Sequence, residues 1–178
     1  NADLKVTHAA RIEAIRDTLN ELTFKGAKIV LISHFGRPNG SEPSKSLEHI
    51  VDDLSREFNR PVKFVNECYG EEVNKAINAL NEREILLLEN LRFYDGETEN
   101  SEEFIEKVTE KAYGYVIDTF STSHRAHASI AAIKSVAKKN GFKVVAGNAL
   151  LKELGKIKQH LSDPKRPLQI ILGGSKAD

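Results

Sequence analysis

Six short apolar runs recur along the chain at 28–33 (KIVLIS), 62–65, 84–88 (EILLL), 113–117 (YGYVI), 143–146 and 168–172 (LQIIL). Most are continuously apolar rather than alternating, the pattern of strands covered on both faces. Amphipathic stretches separate them. Residues 9–24 set Ile12, Ile15, Leu19 and Leu22 at helical spacings, with Gly26 as a stop, and 46–58, 71–80, 101–112, 130–139 and 150–161 read similarly. Ser101 ahead of Phe104 and Val108 predicts an N-cap before an apolar helix face. Strand–helix alternation of this kind predicts an α/β fold, a parallel sheet with helices on both sides. Two long loops, 34–45 and 90–100, interrupt the pattern, and the polar, proline-bearing segment 162–167 reads as a linker.

Charge narrows the function classes. Lys plus Arg number 26, as do Asp plus Glu, so the chain has no basic surplus for generic binding to nucleic acid or an anionic membrane. Any anion site must be a local cluster of cations. The single cysteine, Cys68, has no intramolecular disulfide partner and no neighbouring base, which predicts an inert thiol in a reducing, cytoplasmic setting. No signal-peptide pattern and no apolar run near eighteen residues is present, which predicts a soluble protein.

Ligands of open α/β sheets bind beyond the carboxyl ends of the strands. Four apolar runs here lead directly into polar segments: His34-Phe35-Gly36-Arg37-Pro38, Asn90-Leu91-Arg92-Phe93, the stretch from Thr119 through Arg125 to His127, and Gly173-Gly174-Ser175-Lys176. Ends on one sheet edge converge, so His34, Arg37, Arg92 and Arg125 are expected to share a pocket. Guanidinium groups bind phosphate and carboxylate oxygens bidentately and stay charged. One arginine after a strand is usually just solvated; the repetition is what points to a small, multiply charged anion. Neither G-x-x-x-x-G-K-S/T nor G-x-G-x-x-G occurs. His124 and His127 lie three apart, but no nearby carboxylate or cysteine completes a metal set, so no metal site is expected. His8, His49 and His160 have surface-like neighbours.

Together, 33–38 (SHFGRP), 87–93 (LLENLRF), 124–129 (HRAHAS) and 172–176 (LGGSK) closely resemble the motifs of phosphoglycerate kinases, in that family's order and at roughly its spacings. Residues 70–73 (GEEV) and 152–154 (KEL) fit as well, so the resemblance spans essentially the whole chain. It implies the first lobe of a two-lobed kinase: a three-layer αβα Rossmann-like domain with a mainly parallel sheet. The implied reaction moves a phosphoryl group between 1,3-bisphosphoglycerate and ADP, giving 3-phosphoglycerate and ATP. The implied division is a phosphoglycerate-binding domain over 1–148, an interdomain helix and linker over 149–166, and the start of a nucleotide-binding domain over 167–178.

The same resemblance implies substrate-binding roles for Asn1, Arg11, His34, Phe35, Gly36, Arg37, Arg92 and Arg125. Arg11 and Lys176 are implied to be catalytic, and Gly173, Gly174 and Lys176 to meet the nucleotide. ATP or ADP with Mg2+ is implied to bind mainly outside this chain, and a monomer is expected. Against the family pattern, the first strand with its aspartate is missing ahead of Asn1, and the connection to Arg11 is short. The valine and second lysine that usually follow the glycine–lysine turn are absent, and Thr119 and 121–123 replace smaller residues. Two other readings stay open: an isolated, non-catalytic lobe that holds a small phosphorylated acid, and an unrelated interaction domain. The latter requires the arginines to scatter over the surface.

Overall fold

The computed structural model describes residues 10–162, 164, 166, 167 and 169. Its five strands are β1 (Ile29–Leu31), β2 (Val62–Val65), β3 (Ile85–Leu88), β4 (Gly114–Ile117) and β5 (Lys143–Ala146). All pairings are parallel, β1 and β2 flanking β3, and β4 beside β5. The described strands thus form two parallel sheets rather than one. Five of the six expected strands are present, and the sixth, 168–172, lies outside the described residues apart from residue 169.

Successive side chains of a strand point to opposite faces, so an apolar run in a central strand feeds two cores. β3 does this: its four residues are all essentially inaccessible. Ile85 and Leu87 join Ile29, Val62, Leu19 of α2 (Arg16–Phe24), Leu54 of α3 (Val51–Glu57) and Phe58 on one side. Leu86 and Leu88 join Val73 of α4 (Glu71–Asn78), Phe104 and Ile105 of α6 (Glu102–Val108) and Ile133 of α7 (Ile133–Asn140) on the other. The result is three layers, helix, sheet, helix. Tyr115 of β4 and Val144 of β5 pack against this second core, which ties the two sheets together.

Coverage on both faces holds for β3 but not for β5, where Val145 is 49% exposed. The neighbouring helix α8 (Asn148–Ser162) leaves Leu151, Leu154, Ile157 and Leu161 exposed. The expected helix over 9–24 is divided into α1 (Ala10–Ala14) and α2, with Ile15 at the break. Gly26, at φ +80°, follows α2 as the stop that was expected. Ser101 caps α6, its hydroxyl accepting the Phe104 N–H at 3.2 Å. Residues 90–100 are not an irregular loop: a 3-10 turn (Leu91–Phe93) and the short helix α5 (Asp95–Thr98) fill them.

Candidate anion site at the strand ends

Because β1, β2 and β3 run parallel, the segments after them open on one edge. Asn90, fully buried just past β3, holds the segment after β1 against that edge. Its Nδ2 donates to the carbonyl oxygens of Phe35 (2.8 Å) and Lys45 (3.0 Å). Its Oδ1 accepts the N–H groups of Phe35 (3.2 Å) and Arg92 (3.1 Å). One amide side chain thereby fixes both ends of the 35–45 loop. The buried Glu89 secures the loop's exit, accepting the N–H of Leu47 (2.8 Å) and of Asn90 (2.6 Å) and the Ser46 hydroxyl (2.6 Å).

Gly36 sits at φ +67°, a conformation L side chains rarely adopt, and a Cβ there would lie 3.0 Å from Cδ of Lys45. Its carbonyl accepts a hydrogen bond from Nη1 of Arg92 (2.6 Å). Phe35 remains half-exposed, with the Lys45 ammonium 5.4 Å from its ring centroid.

Four basic groups bear on the partly buried His34. Burial, then the charges of Arg92, His127, Arg11 and Arg125, lower its pKa to about 4. Burial also lowers the Arg92 pKa, with Arg125 and Arg37 acting in the same direction and Glu97 opposing them. The charges of Arg11, Arg92 and Arg125 thus bear on His34, and those of Arg37 and Arg125 on Arg92; Arg11 comes from α1, outside the strand-end pattern. The Nε of Arg92 is buried without an acceptor, a donor of the kind normally met by a partner. A bound oxyanion is the acceptor that would relieve both the mutual repulsion and this unmet hydrogen bond. Asn1, Gly173, Gly174 and Lys176, with His8, lie outside the described residues.

Two participants escape the sequence reading. His127 also acts on His34, and the carboxylate it lacks in sequence is supplied from α5: Glu97 Oε1 lies 3.5 Å from its Nδ1. That corrects the expectation that no carboxylate stands near the histidine pair. Glu97 is invisible in sequence because it sits in a charge-rich stretch that reads as solvated, yet it is fully buried. No group of three or more His, Cys, Asp or Glu residues is arranged for a metal among the described residues.

The remaining expectations fall out simply. Cys68 is inaccessible, its thiol donating to the Glu89 carbonyl at 3.0 Å, and burial raises its pKa. Burial and a raised pKa both disfavour the reactive thiolate. The hydroxyls after β4 find local partners: Thr122 Oγ1 donates to Thr119 Oγ1 (3.3 Å), and Ser123 Oγ donates to the Phe120 carbonyl (2.7 Å). No helix among the described residues is long and apolar enough to cross a membrane.

A family model, phosphoglycerate kinase, matches residues 1–178. The chain belongs to the phosphoglycerate kinase family. A phosphoglycerate kinase of Brucella suis biovar 1 is 40% identical over 176 residues, spanning 98% of this chain but 43% of that protein. The chloroplastic phosphoglycerate kinase of Chlamydomonas reinhardtii is 44% identical over 98% of this chain and 37% of its own length. Solved phosphoglycerate kinase structures from Coxiella burnetii (TM-score 0.77, 30% identity) and Pyrococcus horikoshii OT3 (TM-score 0.81, 26% identity) each cover 92% of this chain and 40% of theirs. The chain thus spans about two fifths of the length of the phosphoglycerate kinases it matches.

Proposed function

We propose that the chain forms the acid-substrate lobe of a phosphoglycerate kinase, binding 3-phosphoglycerate or 1,3-bisphosphoglycerate while a second lobe presents ADP or ATP. The observation that carries this reading is the set of charges that Arg11, Arg37, Arg92 and Arg125 bring to bear on His34 and on one another. Phosphoglycerate is small and carries two separated anionic groups, which suits a rigid array of guanidinium forks. His34 supplies a neutral ring, since its low pKa keeps it unprotonated near neutral pH.

In this reading Arg37, Arg92 and Arg125, with His34, Phe35 and Gly36, orient the acid. Arg11 and Lys176 have the role of stabilising the charge of the phosphoryl group in transfer, and Asn1 that of a further contact to the acid. Phosphoryl transfer needs alignment and charge stabilisation more than covalent chemistry from the protein. Gly173, Gly174 and Lys176 are assigned to nucleotide binding, and the Mg2+ of the nucleotide would neutralise phosphate charge when bound. We assign the ligands of that ion mainly to the second lobe. We divide the chain as a phosphoglycerate domain over 1–148, a connecting segment over 149–166 and the start of the nucleotide domain over 167–178. The exposed apolar residues of α8 support that division, since they present a surface for another part of the protein. A reducing, cytoplasmic compartment fits the single buried thiol, and we take the enzyme to act as a monomer.

The test is steady-state kinetics of Arg11→Ala in the whole protein. Turnover should fall far more than phosphoglycerate affinity, the mark of an interaction made in the transition state. A rise in KM with unchanged turnover refutes the role given to Arg11.

A further inference from the structure

Behind the basic pocket lies a carboxylate that the proposed function leaves without a role. Glu97 on α5 is fully buried, and a buried charge is costly unless paired and hydrogen-bonded. Its Oε2 accepts the Ser129 N–H (3.0 Å), its Oε1 accepts the Ser129 hydroxyl (2.7 Å), and its main-chain carbonyl accepts the Ala128 N–H (2.9 Å). Nδ1 of His127 lies 3.5 Å from Oε1, and the Glu97 charge also acts on Arg92. These contacts join α5 to the segment after β4 that carries both Arg125 and His127.

We infer that Glu97 is a positioning residue for the anion pocket: it anchors the turn bearing Arg125 and His127, and it holds His127 with its proton on Nδ1. Nε2 then lies on the ring's far side from Glu97 and takes a proton from solvent when the anion arrives. This rests on the reading of the basic cluster as an anion site. The chemistry follows from what faces the ring. Arg92 from the turn after β3, Arg125 from the same segment and His34 from the loop after β1 are cations or potential cations. Glu97 is the opposing anion. Burial and the two arginines lower the His127 pKa, and Glu97 raises it. A dianionic ligand adds negative charge on the other side, so the ring becomes an imidazolium between two anions. The Nε2–H so formed is a charge-assisted donor to the ligand. The proton count balances: one proton leaves solvent for each anion bound to a previously neutral His127.

The tautomer can be read without ligand, from long-range 1H–15N spectra of the whole protein labelled in histidine. The neutral His127 ring should show the Nδ1–H form. Glu97→Gln, which keeps the shape and removes the charge, should populate the Nε2–H form and lower the His127 pKa. Titration calorimetry with 3-phosphoglycerate, in two buffers of different ionisation enthalpy, should show proton uptake that shrinks in Glu97→Gln. Affinity should fall about tenfold, the loss of one charge-assisted contact, with the larger loss on the alkaline side. An Nε2–H tautomer in the unsubstituted protein overturns the inference, and so do an unchanged tautomer and proton uptake in Glu97→Gln. If Glu97→Gln fails to fold, the unsubstituted protein's tautomer and proton uptake still decide. Absence of 3-phosphoglycerate binding refutes the anion-site reading instead, because the tautomer is measured with no ligand present.

Discussion

Replacing Asn90 with leucine keeps the forked outline of the side chain at a fully buried position but removes all four hydrogen bonds of the side-chain amide. Four main-chain groups lose their partner: the Phe35 N–H and C=O, the Lys45 C=O and the Arg92 N–H. Each bond contributes roughly 0.5–1.5 kcal/mol net, so the four together amount to about 4 kcal/mol. Movement of the 35–45 loop would let water reach some of these groups and bring the loss toward about 2 kcal/mol. For a chain of this size that corresponds to a Tm drop on the order of 5–15 °C. Native-state hydrogen exchange gives a more local readout. Protection of the Phe35 and Arg92 amides should collapse while the β3 amides stay protected, because the loop opens without the sheet. Asn90→Asp is the matched control: it keeps an acceptor for the two N–H groups but turns the two donated bonds into carboxylate–carbonyl repulsion. A Tm change under about 2 °C for Asn90→Leu, with both amides still protected, would refute the claim that this side chain holds the pocket together.

The pH dependence follows from His34. Its folded-state pKa of about 4 lies below the unfolded value of 6.5, so the unfolded state binds more protons between those values. Stability from this group is complete above pH 6.5 and is lost as pH falls toward about 4; His34→Asn should flatten that part of the Tm-against-pH curve. Arg92→Lys keeps the charge but loses the planar fork and the bond to the Gly36 carbonyl. It should weaken 3-phosphoglycerate binding by roughly 10-fold or more in calorimetry, whereas equal affinity would mean that charge alone matters. Gly96→Ala would place a Cβ 2.6 Å from Cβ of Phe104, and should cost about 1–3 kcal/mol in chemical denaturation through overpacking.

How far the sequence reveals this molecule depends on the range of the interactions concerned. The run at 85–88 reads as a buried strand because apolar content is a local property, and β3 is buried on both faces. The Ser101 cap is likewise local, three residues from the N–H it accepts. His34, Arg37 and Arg92 could be grouped beforehand because they follow paired strands of one parallel sheet, whereas Arg125 follows β4 of the second sheet. Asn90 and Glu97 were out of reach as anchors. Asn90 bonds to Phe35, 55 residues away, and Glu97 to Ser129, 32 residues away. Nothing in a polar residue's neighbours along the chain announces such a partner. The division into two sheets was equally hidden, since strand pairing is set in space while each run reads alike in sequence. So was the exposure of Val145 beside an otherwise ordinary strand pattern.

The most direct test of the central claim is titration calorimetry of 3-phosphoglycerate into the whole protein, with and without the paired substitution Arg92→Met and Arg125→Met. The account predicts one saturable site in the unsubstituted protein, weakening as salt rises, and its loss in the double variant while the Tm stays within a few degrees. Binding that survives both substitutions at full strength would place the acid site away from this sheet edge and contradict the account.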